Sequence, residues 1–402
     1  MRVLLVNQSI PPYIIDGGVH VYDLARGLAK RGYEVHLLLE KEGSRSPQVP
    51  FDVYPWEGFI AHQVVPIIRG LDWTSYMVLV GRYVKELHEK YHFDVIHGHG
   101  PDAGFLLYYR PNTRVVTTVH GAYLGEYTAL KKERMGLNMI TWVRIVLGAR
   151  LYTEIEKVAC KRSDAVITVT PKDKPLIVKG YGIAPHKVHV IPNGVDVEYL
   201  KSLANKYEFD LSAERPWVLF VGRLAPGKGL LDLLRAWRIL KEKMRCKGSL
   251  LIAGSGELLE MVRLYAQKDL NIIYLSLVPR GKLMKIYEES DIFVLPSLFE
   301  GLPYTLLEAI AFSKPLLISK YLGLQDVLED YEYFVDPKNP WELAIKLKML
   351  LEDEKLRKYL SEKASQLIQK FSLETMVDNT IKVYHTALSK KIEAIKNPLL
   401  SF

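Results

Sequence analysis

Short apolar runs alternate with amphipathic stretches from one end of the chain to the other. In the first half the runs are VLLV (3–6), VHLLL (35–39), DVIH (94–97), RVVTTV (114–119) and AVITV (165–169), each predicting a strand. Between the first two lies VHVYDLARGLAKRG. There Val21, Leu24, Ala25 and Leu28 share one helical face, and Gly32 suits a left-handed cap. Strand, amphipathic helix, strand is the pattern of a βαβ unit, and it predicts a parallel sheet.

The pattern restarts with WVLFV (217–221), SLLIA (249–253), NIIYL (271–275), DIFVL (291–295) and PLLIS (315–319). Two βα series of similar size predict two Rossmann-like domains rather than one long sheet. Between them VHVIPNGVD (188–196) carries Pro and Asn-Gly turn signals and is followed by a polar stretch to Pro216. The domain boundary is expected near Asp196, giving an N-terminal domain of 1–196 and a second of 197–371. After about Pro340 the strands stop and 341–388 reads as successive helices. A terminal helix in 372–402 can cap the second domain or return to the first, and the expected organisation has it returning.

Length agrees with this count, since 402 residues at roughly 100–200 per domain make two. A composition of 49% hydrophobic and 25% charged residues excludes a disordered chain. Cys160 and Cys246 are too few for a disulfide framework or a cysteine-built zinc site, and read as inert thiols. No apolar run reaches the length of a spanning helix, and MRVLLVNQS is too short for a signal peptide. The expected location is therefore the cytoplasm. The net charge of +8 is uneven: between Lys131 and Lys187 twelve Lys or Arg face five Asp or Glu. Such a stretch points to nucleic acid, an anionic membrane face or a phosphorylated ligand. No nucleic-acid-binding pattern accompanies it, so nucleic acid is not an expected partner.

Four segments carry chemistry. Gly17-Gly18 lies between the first strand and its helix, where two glycines allow a phosphate close to the helix start or simply make a tight turn. FVGRLAPGKGL (220–230) sets Arg223 and Lys228 in a Gly- and Pro-rich loop directly after a strand, where two cations can neutralise a diphosphate. PSLFEGLPYTLLEA (296–309) places Pro303 at an expected first helical position, with the N–H groups of Tyr304, Thr305 and Leu306 as donors for phosphate. Glu300 and Glu308, beside such a cradle, suit sugar hydroxyls better than an anion. IAGSGE (252–257) lacks the third glycine of a dinucleotide loop and reads as a strand-to-helix turn.

Taken in order, the Gly-Gly start with its RGYEV strand, VIPNGVD, VGRLAPGKG and the Glu300-to-Glu308 spacing resemble the retaining GT-B glycosyltransferases of family 4 over nearly the whole chain. That resemblance implies two Rossmann-like domains facing across a cleft, and transfer of a sugar from a nucleoside diphosphate to an acceptor hydroxyl. It implies that Glu308 holds the ribose hydroxyls and Glu300 a sugar hydroxyl. The backbone of Gly301, Leu302, Pro303, Tyr304, Thr305 and Leu306 would line the sugar and diphosphate, with Arg223 and Lys228 on the phosphates and Gly17 and Gly18 facing them. His120, in TTVHG, matches the family histidine near the transferred sugar, and His97 and His99 a His-x-His on the acceptor side of the cleft.

Two alternating histidines also suggest a metal. No carboxylate or cysteine stands nearby at ligand spacing, and the chain has no Asp-x-Asp triplet, so neither metal nor other cofactor is expected. Glu-Gly-Leu-Pro (300–303) replaces the frequent Glu-Gly-Phe-Gly, and Ser276 stands where a glycine is frequent. A lipid, polysaccharide or small-molecule acceptor fits. The segment GLNMITWVRIVLGARLYTEIEKVACKR (136–162) suits the inner face of an anionic membrane as well as an ordinary helix packed on its own sheet. An epimerase, a glycosyl phosphorylase and a non-catalytic sugar-nucleotide-binding partner share the implied architecture.

Overall fold

The computed structural model describes residues 1–7, 17–40, 58–64, 72–132, 139–268, 270–328 and 331–396. Two compact units emerge. Unit 1 comprises Met1–Lys132, Val143–Gly194 and Leu373–Phe402, and unit 2 comprises Glu133–Trp142 and Val195–Ser372. The main division falls between Gly194 and Val195, two residues before the expected boundary, and the chain returns to unit 1 at Leu373.

Unit 1 holds strands β1 (Arg2–Val6), β2 (Glu34–Glu40), β3 (Phe59–Val64), β4 (Val95–His99), β5 (Arg114–Val119), β6 (Ala165–Thr168) and β7 (Val188–Val190). They form one sheet in the order β3-β2-β1-β4-β5-β6-β7, and every pairing is parallel. Val3, Leu4, Leu5 and Val6 are all fully buried, as a parallel strand covered on both faces requires. The five predicted strands are present. The structure adds β3, whose FIAHQV breaks its apolar positions with His and Gln, and β7, hidden in the VHV that precedes the turn signals.

On one side of this sheet the helix Gly17–Lys30 buries Val21, Leu24, Ala25 and Leu28, the predicted face, and Gly32 takes φ +80. The C-terminal helix Leu373–Lys396 packs against it. Gly27 permits the approach, since a Cβ there would lie 2.4 Å from the Val377 side chain, and Arg31 meets Asp378 at 2.6 Å.

Unit 2 repeats the architecture with β8 (Trp217–Val221), β9 (Ser249–Ala253), β10 (Ile272–Ser276), β11 (Ile292–Leu295), β12 (Leu316–Ser319) and β13 (Phe334–Val335). The order is β10-β9-β8-β11-β12-β13, again parallel throughout. The two-residue β13 is too short to leave a periodic signal. Helices Pro340–Glu352 and Glu354–Leu367 follow, as the loss of strand patterning implies. Among the described residues no helix is long and apolar enough to cross a membrane. Cys160 and Cys246 are buried free thiols, Cys160 with its thiol pushed up by burial.

Candidate active site

Each sheet reverses its order at one point, between β1 and β4 in unit 1 and between β8 and β11 in unit 2. Open α/β sheets bind ligands beyond the C-terminal strand ends at such a switch point. In unit 2 the loops there are 222–229 and 296–303, and they are tied together. Leu298 donates its N–H to the Gly227 carbonyl at 2.8 Å. Gly229 has φ +69, and a Cβ on it would lie 2.0 Å from the Pro296 carbonyl oxygen, so only glycine lets the two backbones pass. The β9 exit joins them: Leu224 donates to the Ser255 carbonyl at 2.8 Å, and a Cβ on Gly254 would lie 1.9 Å from the Gly222 oxygen. The IAGSGE turn is thus a backbone contact with the 222–229 loop.

Two ion pairs sit on this frame. Lys228 Nζ pairs with the Glu300 carboxylate, both side chains largely buried, and the Ser297 hydroxyl donates to the same carboxylate at 3.2 Å. Glu308, buried in the helix Tyr304–Ala311, is met at 2.5 Å by Arg280, the first residue of the helix Arg280–Glu289. Tyr287 of that helix donates its hydroxyl to the Thr305 carbonyl at 3.1 Å. Arg223 is exposed, and its guanidinium has no side-chain partner among the described residues. The stitched loops and the helix after them carry Arg223, Lys228, Glu300, Gly301, Leu302, Pro303, Tyr304, Thr305, Leu306 and Glu308.

Two details differ from expectation. Pro303, at ψ 139, precedes the helix instead of opening it, so the helix begins at Tyr304. The N–H of Leu306 then bonds the Pro303 carbonyl at 3.1 Å, so one of the three donors that the sequence assigned to phosphate is already engaged. Arg280 escaped the sequence reading, although a cation just past a strand end is the signal that singled out Arg223. Ser276 adopts φ +62, so the backbone keeps a glycine-type turn with serine in it.

The switch point of unit 1 is dressed with imidazoles. Gly17 and Gly18 open the helix Gly17–Lys30, with His20 in its first turn; residues 8–16, just before, lie outside the described residues. His99 ends β4 and His120 follows β5. The three rings converge, with centroids 4.7 Å apart for His20 and His120, 5.2 Å for His20 and His99, and 5.6 Å for His99 and His120. His20 Nδ1 donates to Asn193 Oδ1 at 2.9 Å, while His99 Nδ1 and His120 Nε2 lie 3.4 Å apart. Burial, then the neighbouring imidazoles, holds His20 and His99 well below the usual histidine range. The same causes bring His120 down to about 4. These rings are neutral near pH 7, and they offer hydrogen bonds without charge.

His97 does not share this role. It lies two residues before His99 on the same strand face, but it is fully buried and both ring nitrogens are engaged at 2.7 Å, one by Tyr384 of the C-terminal helix and one by Thr118 of β5. Of the expected His-x-His pair on the acceptor side, His97 is thus held by Tyr384 and Thr118, while His99 joins the imidazole cluster. His20 and Asn193 carry no chemical signal in the sequence, since one lies within an amphipathic helix pattern and the other within an Asn-Gly turn signal.

A buried carboxyl supports the loop that carries His120. Glu156, in the helix Met139–Arg162, accepts from the Tyr123 N–H at 3.0 Å and the Tyr181 hydroxyl at 2.6 Å. Tyr181 in turn accepts from the Leu124 N–H at 3.2 Å. The first N–H groups of the helix Tyr123–Lys132, three residues past His120, are fixed this way. Burial pushes Glu156 up to about 8, against the pull of those two hydrogen bonds and with help from the nearby Asp173 and Glu126.

Known proteins carry the same two halves. The family model described as Glycosyltransferase Family 4 matches residues 17–199, and that described as Glycosyl transferases group 1 matches residues 202–367. An uncharacterised glycosyltransferase of Methanocaldococcus jannaschii is 26% identical, over 96% of this chain and 99% of that protein. The UDP-Gal:alpha-D-GlcNAc-diphosphoundecaprenol alpha-1,3-galactosyltransferase of Escherichia coli is 28% identical, over 89% and 90%. In fold, sucrose-phosphate synthase of Thermosynechococcus elongatus matches 97% of this chain and 99% of its own with a TM-score of 0.75 at 20% identity. The two parallel-sheet units and the paired family matches identify the chain as a hexosyltransferase-type enzyme belonging to the GT-B glycosyltransferases of family 4.

Proposed function

We propose that the enzyme moves a sugar from a nucleoside diphosphate to an acceptor hydroxyl with retention at the anomeric carbon and without a metal. The observation that carries this reading is the Lys228–Glu300 pair at the unit 2 switch point, beside the backbone of Gly301 to Leu306 and the uncommitted cation of Arg223. Without donor, Lys228 and Glu300 satisfy each other. A bound donor exchanges that contact for two new ones, phosphate on Lys228 and a sugar hydroxyl on Glu300, while Glu308, held by Arg280, accepts from the ribose. As the glycosidic bond breaks, negative charge grows on the leaving phosphate, where Lys228 and Arg223 stabilise it in place of a metal. The departing phosphate oxygen takes the acceptor proton on the face it leaves, so no protein nucleophile is needed. In unit 1, His120 and His99 serve the sugar and acceptor hydroxyls with neutral hydrogen bonds.

For the acceptor, the helix Met139–Arg162 exposes Val143, Leu147 and Leu151 in a row, with exposed Arg144 and Arg150 beside them. An apolar row flanked by cations suits an anionic bilayer surface, and a membrane-borne acceptor follows. The E. coli relative acts on a diphosphoundecaprenol-linked sugar, which agrees.

The test is product analysis with UDP, GDP and ADP sugars against hydroxyl acceptors after exhaustive chelation. The expected product keeps the donor's anomeric configuration. An inverted product, or activity lost on chelation and restored by metal, would sink the corresponding half of the reading. Co-sedimentation with acidic vesicles that persists in Leu147→Glu would remove the membrane part.

A further inference from the structure

We propose that His20, His99 and His120 of unit 1 form a binding site for a divalent cation of the zinc class, and that its occupancy slows transfer. Each histidine offers one ring nitrogen, and the three lie within 4.8 Å of one another, without a carboxylate or cysteine among them. Three features mark the cluster as built for a ligand. His99 is 1% exposed, its Nδ1 lies 3.4 Å from His120 Nε2 and its Nε2 is buried with no hydrogen-bond partner, so among the described residues the ring's hydrogen-bonding contact is the long one inside the cluster. His20 gives its Nδ1 proton to the buried Asn193, which puts its lone pair on Nε2 and fixes the ring, the outer-shell arrangement typical of metal-ligating histidines. His120 is partly open, so the cluster has an entrance and a fourth coordination position can go to water or a hydroxyl.

Ligand chemistry selects the ion. Three neutral imidazoles without carboxylate suit zinc, cobalt, nickel or copper, and not magnesium or manganese, which take oxygen ligands. Metal–nitrogen bonds of about 2.0–2.1 Å require the nitrogens to close by roughly 1 Å. Rotation of the His99 and His120 rings supplies that movement, while Asn193 keeps His20 in place.

The functional half rests on the reading that His120 meets the transferred sugar. A metal on its ring nitrogen withdraws that nitrogen from the hydroxyl, so the loaded enzyme transfers more slowly than the metal-free one. This cation is a competitor at the sugar position, not a cofactor.

The experiment is a cobalt titration of the full-length, chelated protein, read by the visible bands of nitrogen-ligated cobalt, followed by competition with zinc and with manganese. We expect about one equivalent bound, displaced by zinc and untouched by manganese. Affinity should fall at least about tenfold in His99→Ala and in His120→Gln, and about 10- to 100-fold in Asn193→Ala, which acts through His20. His120→Gln replaces a partly open residue and keeps the test valid where His99→Ala fails to fold. The same spectrum and midpoint in the parent, His99→Ala and His120→Gln would overturn the site, as would displacement by manganese. Transfer by the metal-free enzyme is measured in parallel, so failure of the donor reading shows there alone. A zinc-loaded enzyme that keeps the metal-free rate overturns the competition.

Discussion

Two sheets with one strand order carry opposite chemistry at the same topological position. In unit 2 the β8 and β11 exits are stitched backbone to backbone through Gly229 and carry the ion pair of Lys228 with Glu300, and Arg280, past the end of β10, pairs with Glu308. In unit 1 the β4 and β5 exits carry His99 and His120, joined by His20, and burial keeps all three uncharged. Under the proposed transfer, the difference follows from what each position would hold. A diphosphate leaving group gathers charge during transfer, and fixed cations in a dry backbone cradle stabilise it. Sugar and acceptor hydroxyls gather little, and for them a neutral donor or acceptor gives direction without inviting the wrong anion.

The contrast breaks most directly at Gly229. Alanine there must take a left-handed φ, at about 1–2 kcal/mol, and overlap the Pro296 carbonyl, at about 1–3 kcal/mol more. A total of about 3 kcal/mol lowers the melting temperature by roughly 10 °C for a unit of this size. Gly32 is the control: its φ is +80 but nothing lies within 4 Å of a Cβ there, so Gly32→Ala should cost only the backbone part. Calorimetry of the two variants separates crowding from strain, and equal losses would show that the 222–229 and 296–303 loops are not locked together.

Next comes the charge itself. Lys228→Ala should reduce kcat by about 10²- to 10³-fold, the usual consequence of removing one stabiliser of developing charge. It also leaves Glu300 buried without its cation, which costs stability. Lys228→Met combined with Glu300→Gln removes both charges, so it should recover stability and remain inactive. Transfer near the parent rate in the double variant would mean that the ion pair is scaffolding for the loops.

How much of this was readable beforehand depended on range. The unit 2 loops announce themselves because the chemistry is local: Arg223 and Lys228 lie within one loop, and Glu300 and Glu308 bracket one helix start. The strands that are continuous apolar runs were equally legible, whereas β3, β7 and β13, which are polar-interrupted or very short, were not. What the chain concealed are partners distant in sequence. Arg280 reaches Glu308 across 28 residues, His20 reaches Asn193 across 173, and His97 reaches Tyr384 across 287. No periodicity encodes such pairs. For the same reason His97 and His99 look equivalent in DVIHGH, and only the C-terminal helix decides that the first is packing.

Glu156 sharpens the picture of unit 1 as a neutral site. Its carboxyl is raised to about 8, from about 4.5 in an unfolded chain. An acid raised on folding binds its proton more tightly in the native state. Its stabilising contribution is therefore complete below about pH 4.5 and is lost as pH rises toward 8. Between pH 6 and 8 the parent should lose about 2 kcal/mol that Glu156→Gln keeps, because glutamine carries the hydrogen bonds without the titration. Thermal melts across that window test it, and parallel curves would show that Glu156 is already ionised at neutral pH. Glu156→Gln should also keep transfer at the higher pH, since it acts only by fixing the start of the helix Tyr123–Lys132 behind His120.

The smallest effect is expected at His120, and it bears most closely on the comparison. If His120 gives the sugar one neutral hydrogen bond, His120→Gln removes about 1 kcal/mol of transition-state binding, a fall in kcat/KM of about tenfold or less. Because burial holds the ring down to about 4, it stays neutral from pH 5 upward, and the parent's pH profile should carry no limb near 6.5 that the variant lacks. A charged imidazolium working on the leaving phosphate would behave differently. It would produce a limb in that range, vanish in His120→Gln with a loss comparable to Lys228→Ala, and weaken with salt as a solvent-reachable charge does. The kcat/KM profiles of parent and variant at two ionic strengths thus decide whether unit 1 supplies neutral contacts, leaving the phosphate charge to unit 2, or shares that charge with it.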